Sequence, residues 1–191
     1  MLIYSENYGD SFFGNSCCFT GYRPIKFPFS IEQGSGGLKR LENSIIETVF
    51  SLYAEGCTTF YSGMAMGFDI IAAEAVLLLK EEHSEVRLIC AVPFKEQGAG
   101  FPEPWRSRYA EIIKRADEVV ITADKYYKGC YHKRNAFLVD SSDFVVTWFD
   151  GQPGGTAWTV KYAQNKGRYV LNLNSGSNMP DERLLDIAYC C

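Results

Sequence analysis

Three glycine-containing segments of the chain have the composition of loops that bind phosphate. They are TGYRP (20–24), SGMAMGFD (62–69) and PGGT (153–156), and each follows a short apolar run. Glycine lets backbone N–H groups point towards a ligand, and a helix that begins at such a loop adds partial positive charge. One loop of this kind is a weak signal, because glycine is common in tight turns. Three at one edge of the same sheet favour a phosphorylated ligand.

Two arginines are candidates for contact with that phosphate. Arg23 precedes Pro24, which favours an extended backbone, so we expect its guanidinium at the sheet edge. The alternative for Arg23 is a surface ion pair. Arg134 lies in HKRN (132–135) at the start of a helical pattern, where positive charge is locally unfavourable. An anionic ligand would offset this charge.

Acidic and aromatic residues near these loops leave alternatives open. Asp69 either caps the helix that follows it or contacts a ribose hydroxyl. Glu74 is the only charged residue within 70–79, and it serves either as an acid/base group or as one half of a salt bridge to a neighbouring helix. The tyrosines of 126–131 either stack against a base or pack on the surface.

Short apolar runs alternate with helical patterns along the chain, which is typical of a parallel sheet with helices on both faces. Strands two to five read as near-continuous apolar runs and are expected to be buried on both faces. We predict one α/β domain over residues 16–191, with a doubly wound, mostly parallel, Rossmann-like sheet, after an N-terminal extension of residues 1–15. Ligands of such sheets bind outside the carboxyl ends of the strands, where the glycine loops lie.

The composition argues against several classes of function. The chain has 191 residues and a formal net charge of -4, which does not favour a nucleic acid or membrane partner. The first residues lack the pattern of a signal peptide, so we expect a cytoplasmic protein. No GxGxxG and no GxxxxGK[ST] occurs, which disfavours an ordinary dinucleotide dehydrogenase or P-loop NTPase.

The cysteines do not predict a metal site. There are seven, none in a CxxC unit, and the chain has only two histidines. Those within or beside apolar runs are expected to be buried thiols: Cys17, Cys18, Cys57 and Cys90.

Taken in order, five segments resemble the SLOG superfamily, a Rossmann-like group that includes the LOG phosphoribohydrolases and the DNA-processing protein DprA. The segments are CFTGYRP, YSGMAMGFDIIAAEAVLLLK, AVPFKEQ, KRNAFLVDSSDFVVTWFD and GGTAWTVKYA, and they extend over about 18–172. Within the superfamily the chain is most similar to the YpsA-like family. The resemblance implies binding of a nucleotide or a nucleotide derivative, such as an ADP-ribose-like or NAD-like molecule.

The resemblance also implies roles for particular residues. The catalytic arginine of LOG enzymes would fall on Arg134. Those enzymes carry PGGxGTxxE, whose glutamate helps to cleave an N-glycosidic bond, whereas this chain has PGGTAWTVKYA, with no carboxylate in the four residues after Thr156. A hydrolase of this type would therefore need Glu74 or Asp69 as its acid group.

Three hypotheses follow for the function. The first is a nucleotide-binding protein, with a sensor as one form of it, and the second is a hydrolase that cleaves the N-glycosidic bond of a nucleoside monophosphate. The third is a DprA-like accessory protein that binds single-stranded DNA. A homodimer is consistent with the superfamily. The candidate ligand-binding residues are Thr20, Gly21, Arg23, Ser62, Gly63, Gly67, Asp69, Arg134, Asn135, Gly154, Gly155, Thr156 and Thr159.

Overall fold

A six-stranded, all-parallel sheet forms the centre of the computed structural model, which describes residues 14–174. The strands are β1 (Ser16–Thr20), β2 (Thr59–Ser62), β3 (Arg87–Val92), β4 (Glu118–Ile121), β5 (Phe144–Thr147) and β6 (Tyr169–Asn172). The α-helices in this range are α1 (Gly36–Ala54), α2 (Phe68–Glu82), α3 (Trp105–Arg115), α4 (Cys130–Asp140) and α5 (Gly155–Asn165), and a short 3-10 helix spans Pro24–Lys26. The N-terminal extension and the last cysteine pair lie largely or wholly outside the described residues.

The strand order is β4-β3-β2-β1-β5-β6, which confirms the doubly wound, Rossmann-like fold. From β1 the chain builds the sheet outward through β2, β3 and β4, and it then crosses back to place β5 on the other side of β1. The direction of winding thus reverses between β1 and β5. Their carboxyl ends diverge into separate loops, which leaves a crevice at this edge of the sheet.

The helices cover both faces of the sheet and enclose two apolar layers. On one face, residues of α1, α2 and α3 pack against Phe19 and Phe60 from the central strands. On the other, Leu138 of α4 and Val160 of α5 pack against Cys18 and Val145. Adjacent residues of β1 therefore point into different layers, as the two-residue period of a strand requires. The four cysteines predicted to be buried thiols are all buried, with free thiol groups.

Strand β4 departs from the expectation of burial on both faces. Val119 and Ile121 are 40% and 47% exposed. The reason is topological: β4 pairs only with β3 at the edge of the sheet, and α3 packs mainly against α2. An apolar run alone does not distinguish an edge strand from a central one.

Two loops are held against each other where β1 ends and α2 begins. The Phe68 N–H donates to the Tyr22 carbonyl at 3.1 Å, and a Cβ added to Gly21 would lie 2.3 Å from the Phe68 ring. Gly67, which precedes α2, has φ +94, and a Cβ there would lie 2.4 Å from the Tyr22 oxygen. The glycines of these loops thus allow a close backbone approach.

None of the helices within residues 14–174 is long and apolar enough to cross a membrane.

We expect Gly21→Ala to lower the free energy of unfolding by about 1–3 kcal/mol, because the new methyl group would force the Phe68 ring out of its packed position. Chemical denaturation of the purified protein measures the change. Gly100→Ala is the matched control, since a Cβ there meets nothing within 4 Å. Equal stability of the two variants would contradict this close packing.

Candidate functional site

A small pocket of about 150 Å³ opens at the carboxyl ends of β1 and β5, beside the N-termini of α2, α4 and α5. We call it the anion pocket. Its lining residues are Thr20, Gly21, Tyr22, Arg23, Lys26, Ala65, Asp69, Tyr131, Arg134, Asn135, Gly155 and Thr156. Eight of the residues predicted from the sequence are therefore brought together here: Thr20, Gly21, Arg23, Asp69, Arg134, Asn135, Gly155 and Thr156.

Positive charge dominates the lining of the anion pocket. Arg23, Lys26 and Arg134 face a single carboxylate, that of Asp69. Arg23 and Lys26 are exposed, whereas Arg134 is only 4% exposed. A buried cation is strongly unfavourable unless an anion or several hydrogen-bond acceptors compensate it. The arrangement is therefore suited to an anionic ligand.

The guanidinium of Arg134 is held in place from one side. Its Nε donates to the Asn135 Oδ1 atom at 2.8 Å, and its Nη1 donates to the Ala91 carbonyl at 3.5 Å. Within residues 14–174, its remaining nitrogen, Nη2, donates no hydrogen bond. Burial lowers the pKa of Arg134, and the nearby Asp69 carboxylate opposes this shift. The side chain thus combines a fixed orientation with an unused donor.

Asp69 has an unusual environment for a carboxylate. Burial raises its pKa from 3.8 to about 6, although Arg134, Arg23 and the backbone N–H groups of Ala65 and Gly21 act in the opposite direction. Its Oδ2 atom accepts the Ala65 N–H at 3.3 Å. Asp69 is the second residue of α2, and its carboxylate binds the preceding loop; the helix begins after Gly67 without a side-chain cap. The cap proposed from the sequence is therefore not found, whereas Asp69 does line the pocket and contact with a ribose hydroxyl stays a prediction.

Gly63 and Ser62 shape the pocket from behind rather than lining it. A Cβ on Gly63 would lie 2.2 Å from the Arg134 Nη1 atom and 2.8 Å from the Asp69 Oδ2 atom. No side chain can therefore be added at position 63 without moving this pair. The Ser62 hydroxyl donates to the Asp69 carbonyl at 2.9 Å and accepts the Met64 N–H at 3.1 Å.

The start of α5 is tied to the rest of the site through hydroxyl groups. The Asn135 Nδ2 atom donates to the Thr159 hydroxyl at 2.8 Å, which donates in turn to the Gly155 carbonyl at 2.9 Å. The Thr156 hydroxyl donates to the Gly21 carbonyl at 3.0 Å. Thr159 thus supports the pocket without lining it, and Gly67 supports it by fixing the start of α2. Gly154 precedes α5 and does not line the pocket.

Glu74 lies apart from this group of residues. Its Oε1 atom accepts a hydrogen bond from the Arg108 Nε atom at 2.7 Å, in an ion pair between α2 and α3. Glu74 is five positions after Asp69, which corresponds to about 140° around the helix and more than one turn along it. Of the acid groups proposed from the sequence, only Asp69 is in the anion pocket.

Sequence reasoning missed two residues that contribute to the site. Lys26 adds a third cation, because the 3-10 helix that begins at Pro24 turns it back towards the pocket. Gln97 is buried and donates to the carbonyl groups of Met64 at 2.7 Å and Gly63 at 3.4 Å, which supports the second glycine loop. A proline before a lysine and a glutamine after a strand are too common to have signalled these roles.

No group of three or more histidine, cysteine, aspartate or glutamate side chains in the described part of the chain could hold a metal ion.

We expect the affinity for ADP-ribose to rise about tenfold as the pH is lowered from about 7.5 to about 5. Asp69, with its pKa raised to about 6, is ionised at the upper end of this range and mostly protonated at the lower end. Protonation removes a negative charge beside the bound anion. At an effective dielectric constant of about 20, one unit charge about 4 Å away changes the binding energy by about 4 kcal/mol, and about 1.4 kcal/mol is enough for a tenfold change. Calorimetric titration over this pH range measures the effect.

ADP-ribose suits this experiment because its pyrophosphate does not titrate in this range, whereas a phosphate monoester does, at about 6. Asp69→Asn is the control and should bind with nearly constant affinity across the range. A pH response of the same size in Asp69→Asn would contradict the assignment to Asp69.

The family relationship of the chain is clear from comparison with known proteins. The model of the YspA SLOG family matches residues 17–173. A UPF0398 protein of Halalkalibacterium halodurans is 28% identical over 150 residues, which cover 77% of this chain and 79% of that protein. The uncharacterized SPbeta prophage-derived protein YoqJ of Bacillus subtilis is 28% identical over 165 residues, which cover 78% and 94%.

Two solved structures share the fold. DNA processing protein A of Helicobacter pylori, studied for its single-stranded DNA binding mode, superposes with a TM-score of 0.58 at 19% identity, over 91% of this chain and 72% of that one. The DprA protein of Streptococcus pneumoniae superposes with a TM-score of 0.54 at 17% identity, over 81% and 48%. At these identities the likeness concerns the fold alone. The match over residues 17–173 identifies the chain as a member of the YspA SLOG family.

Proposed function

We propose that this protein binds a nucleotide or a nucleotide derivative, with its phosphate in the anion pocket, and that it acts as a binding or sensing protein. The observation that carries the proposal is the buried guanidinium of Arg134, which has an unused donor nitrogen and lies beside two further cations, Arg23 and Lys26. ADP-ribose-like and NAD-like molecules belong to the same class of ligand.

The backbone supports the same proposal. The pocket lies beside the first residues of α4 and α5, where free N–H groups and the helix dipole favour an anion. Cationic side chains close to a helix N-terminus are unfavourable without such an anion. A phosphate would be stabilised by both sets of groups and would relieve their mutual repulsion.

A second candidate function is hydrolysis of the N-glycosidic bond of a nucleoside monophosphate, and the position of Asp69 favours it. A carboxyl group with a pKa near 6 is suited to general acid–base catalysis near neutral pH. Asp69 would exchange a proton with the reacting groups while Arg134 positions the phosphate. Among the described residues that line the pocket, however, it is the only carboxylate. Binding without turnover therefore remains our first proposal.

We expect Arg23→Ala to weaken the binding of AMP or ADP-ribose at least about tenfold, because the variant lacks one charge-assisted hydrogen bond to phosphate. Arg23 is exposed, so its removal should leave the fold intact. Calorimetric titration measures the affinity, and the ligand-induced rise in melting temperature measures it independently.

Arg115→Ala is the matched control, since Arg115 is an exposed arginine paired with Glu81 outside the anion pocket. Arg134→Met is expected to abolish binding, and its unfolding curve shows whether the fold persists. If no nucleotide raises the melting temperature of the wild-type protein at millimolar concentration, the proposal is wrong. Salt-sensitive binding of single-stranded DNA would instead support the third hypothesis.

An assay for base release from a panel of nucleoside monophosphates distinguishes the two leading candidates. Turnover that is lost in Asp69→Asn and in Arg134→Met would establish the hydrolase. Ligand-induced stabilisation without released base would establish the binding protein.

A further inference from the structure

We propose that three aromatic side chains beside the anion pocket, Phe94, Tyr126 and Tyr131, bind the base of the ligand. We call these residues the aromatic rim. The inference rests on the proposed function and narrows it: the ligand is a nucleotide with an aromatic base, and a sugar phosphate without a base binds more weakly.

The size of the anion pocket requires a second binding surface. Its volume is about 150 Å³. Pockets that enclose a ligand of drug or nucleotide size usually measure about 300–1,000 Å³. The pocket can therefore hold the phosphate and neighbouring atoms, while the rest of a nucleotide must lie outside it, against the residues at its opening.

Aromatic surface is available on one side of that opening. Within the described chain, the only rings that line the pocket belong to Tyr22 and Tyr131. Tyr22 is 3% exposed, and its hydroxyl donates to the Asp150 carboxylate. Its ring is therefore part of the interior and is not accessible to a base. Tyr131 is half-buried and remains in contact with the pocket. A base can therefore reach a ring only on the side of Tyr131.

Tyr131 connects the pocket to the other two rings of the aromatic rim. The centroid of Phe94 lies 6.0 Å from that of Tyr131 and 5.7 Å from that of Tyr126, and Tyr126 lies 6.4 Å from Tyr131. All three pairs meet edge to face, with interplanar angles of 77°, 83° and 61° in the same order. An edge-to-face contact covers the face of only one of its two rings, so the three rings keep faces on which a base can stack.

The packing of the core does not account for the position of the Tyr126 ring. It is 65% exposed, so it contributes little to either apolar layer. Its ring is nevertheless held by the edge contacts to Phe94 and Tyr131, which limit its motion. A restrained and exposed ring beside an anion site offers stacking area at a small entropic cost.

Arg23 links the two parts of the site. Its guanidinium carbon lies 5.7 Å from the centroid of the Tyr131 ring, within the range of a cation–π contact. The same side chain lines the anion pocket. Phosphate and base would thus bind on either side of one arginine, as the short ribose bridge of a nucleotide requires.

The test compares AMP with ribose 5-phosphate, which share the phosphorylated sugar and differ in the base. Calorimetric titration of the wild-type protein should give tighter binding of AMP, by at least about fivefold, because one stacked base contributes this much or more. Tyr126→Ala should remove most of that preference and leave the affinity for ribose 5-phosphate unchanged. Tyr126→Phe keeps the ring and should bind AMP as the wild type does.

The outcomes separate the inference from the function on which it rests. Equal affinities of the wild type for the two ligands would contradict base binding by the aromatic rim, and so would an AMP preference that survives in Tyr126→Ala. Neither result would contradict phosphate binding in the anion pocket. An equal loss of affinity for both ligands in Tyr126→Ala would indicate a purely structural role and would also contradict base binding by the aromatic rim. If the wild type binds neither ligand, the proposed function itself fails.

Discussion

The burial of the Arg134 guanidinium is the constraint on which the rest of the site depends. A guanidinium removed from water needs acceptors and nearby negative charge. Asn135 and the Ala91 carbonyl supply two acceptors, and Asp69 supplies charge of the opposite sign. One donor nitrogen of this guanidinium, Nη2, donates to no protein group within the described residues, so a phosphate oxygen could accept a hydrogen bond from it.

This constraint explains the composition of the loops around Arg134. Gly63 lacks a side chain because a Cβ would collide with both Arg134 and Asp69. Gly21 lacks one because the ring of Phe68 occupies the space. Close packing of this kind transmits small displacements directly, because moving the backbone or the rings costs packing energy. The glycines therefore serve the packing of the candidate site.

The fold places these groups together through the reversal of winding between β1 and β5. The three glycine loops follow β1, β2 and β5, which lie far apart in sequence but are neighbours in the sheet. Helices α4 and α5 cover the face opposite α1 and α2, so the starts of helices from both faces meet at one edge. An anion at this edge would interact with several helix N-termini at once, which no single loop would provide.

The sequence by itself determined the fold class, the edge of the sheet that carries the site and most of the pocket residues, because period-two and helical patterns and glycine loops are local signals. Only the tertiary structure decided that Glu74 forms an ion pair with Arg108 of a different helix. It alone also decided that β4 is exposed at the edge of the sheet. It also decided that Lys26 lines the pocket and that Gln97 binds the second glycine loop. The contact between the rings of Tyr131 and Phe94 depends on it as well. Each of these depends on which distant segment becomes a neighbour. That is set by the order and winding of the strands, which local residue patterns do not encode.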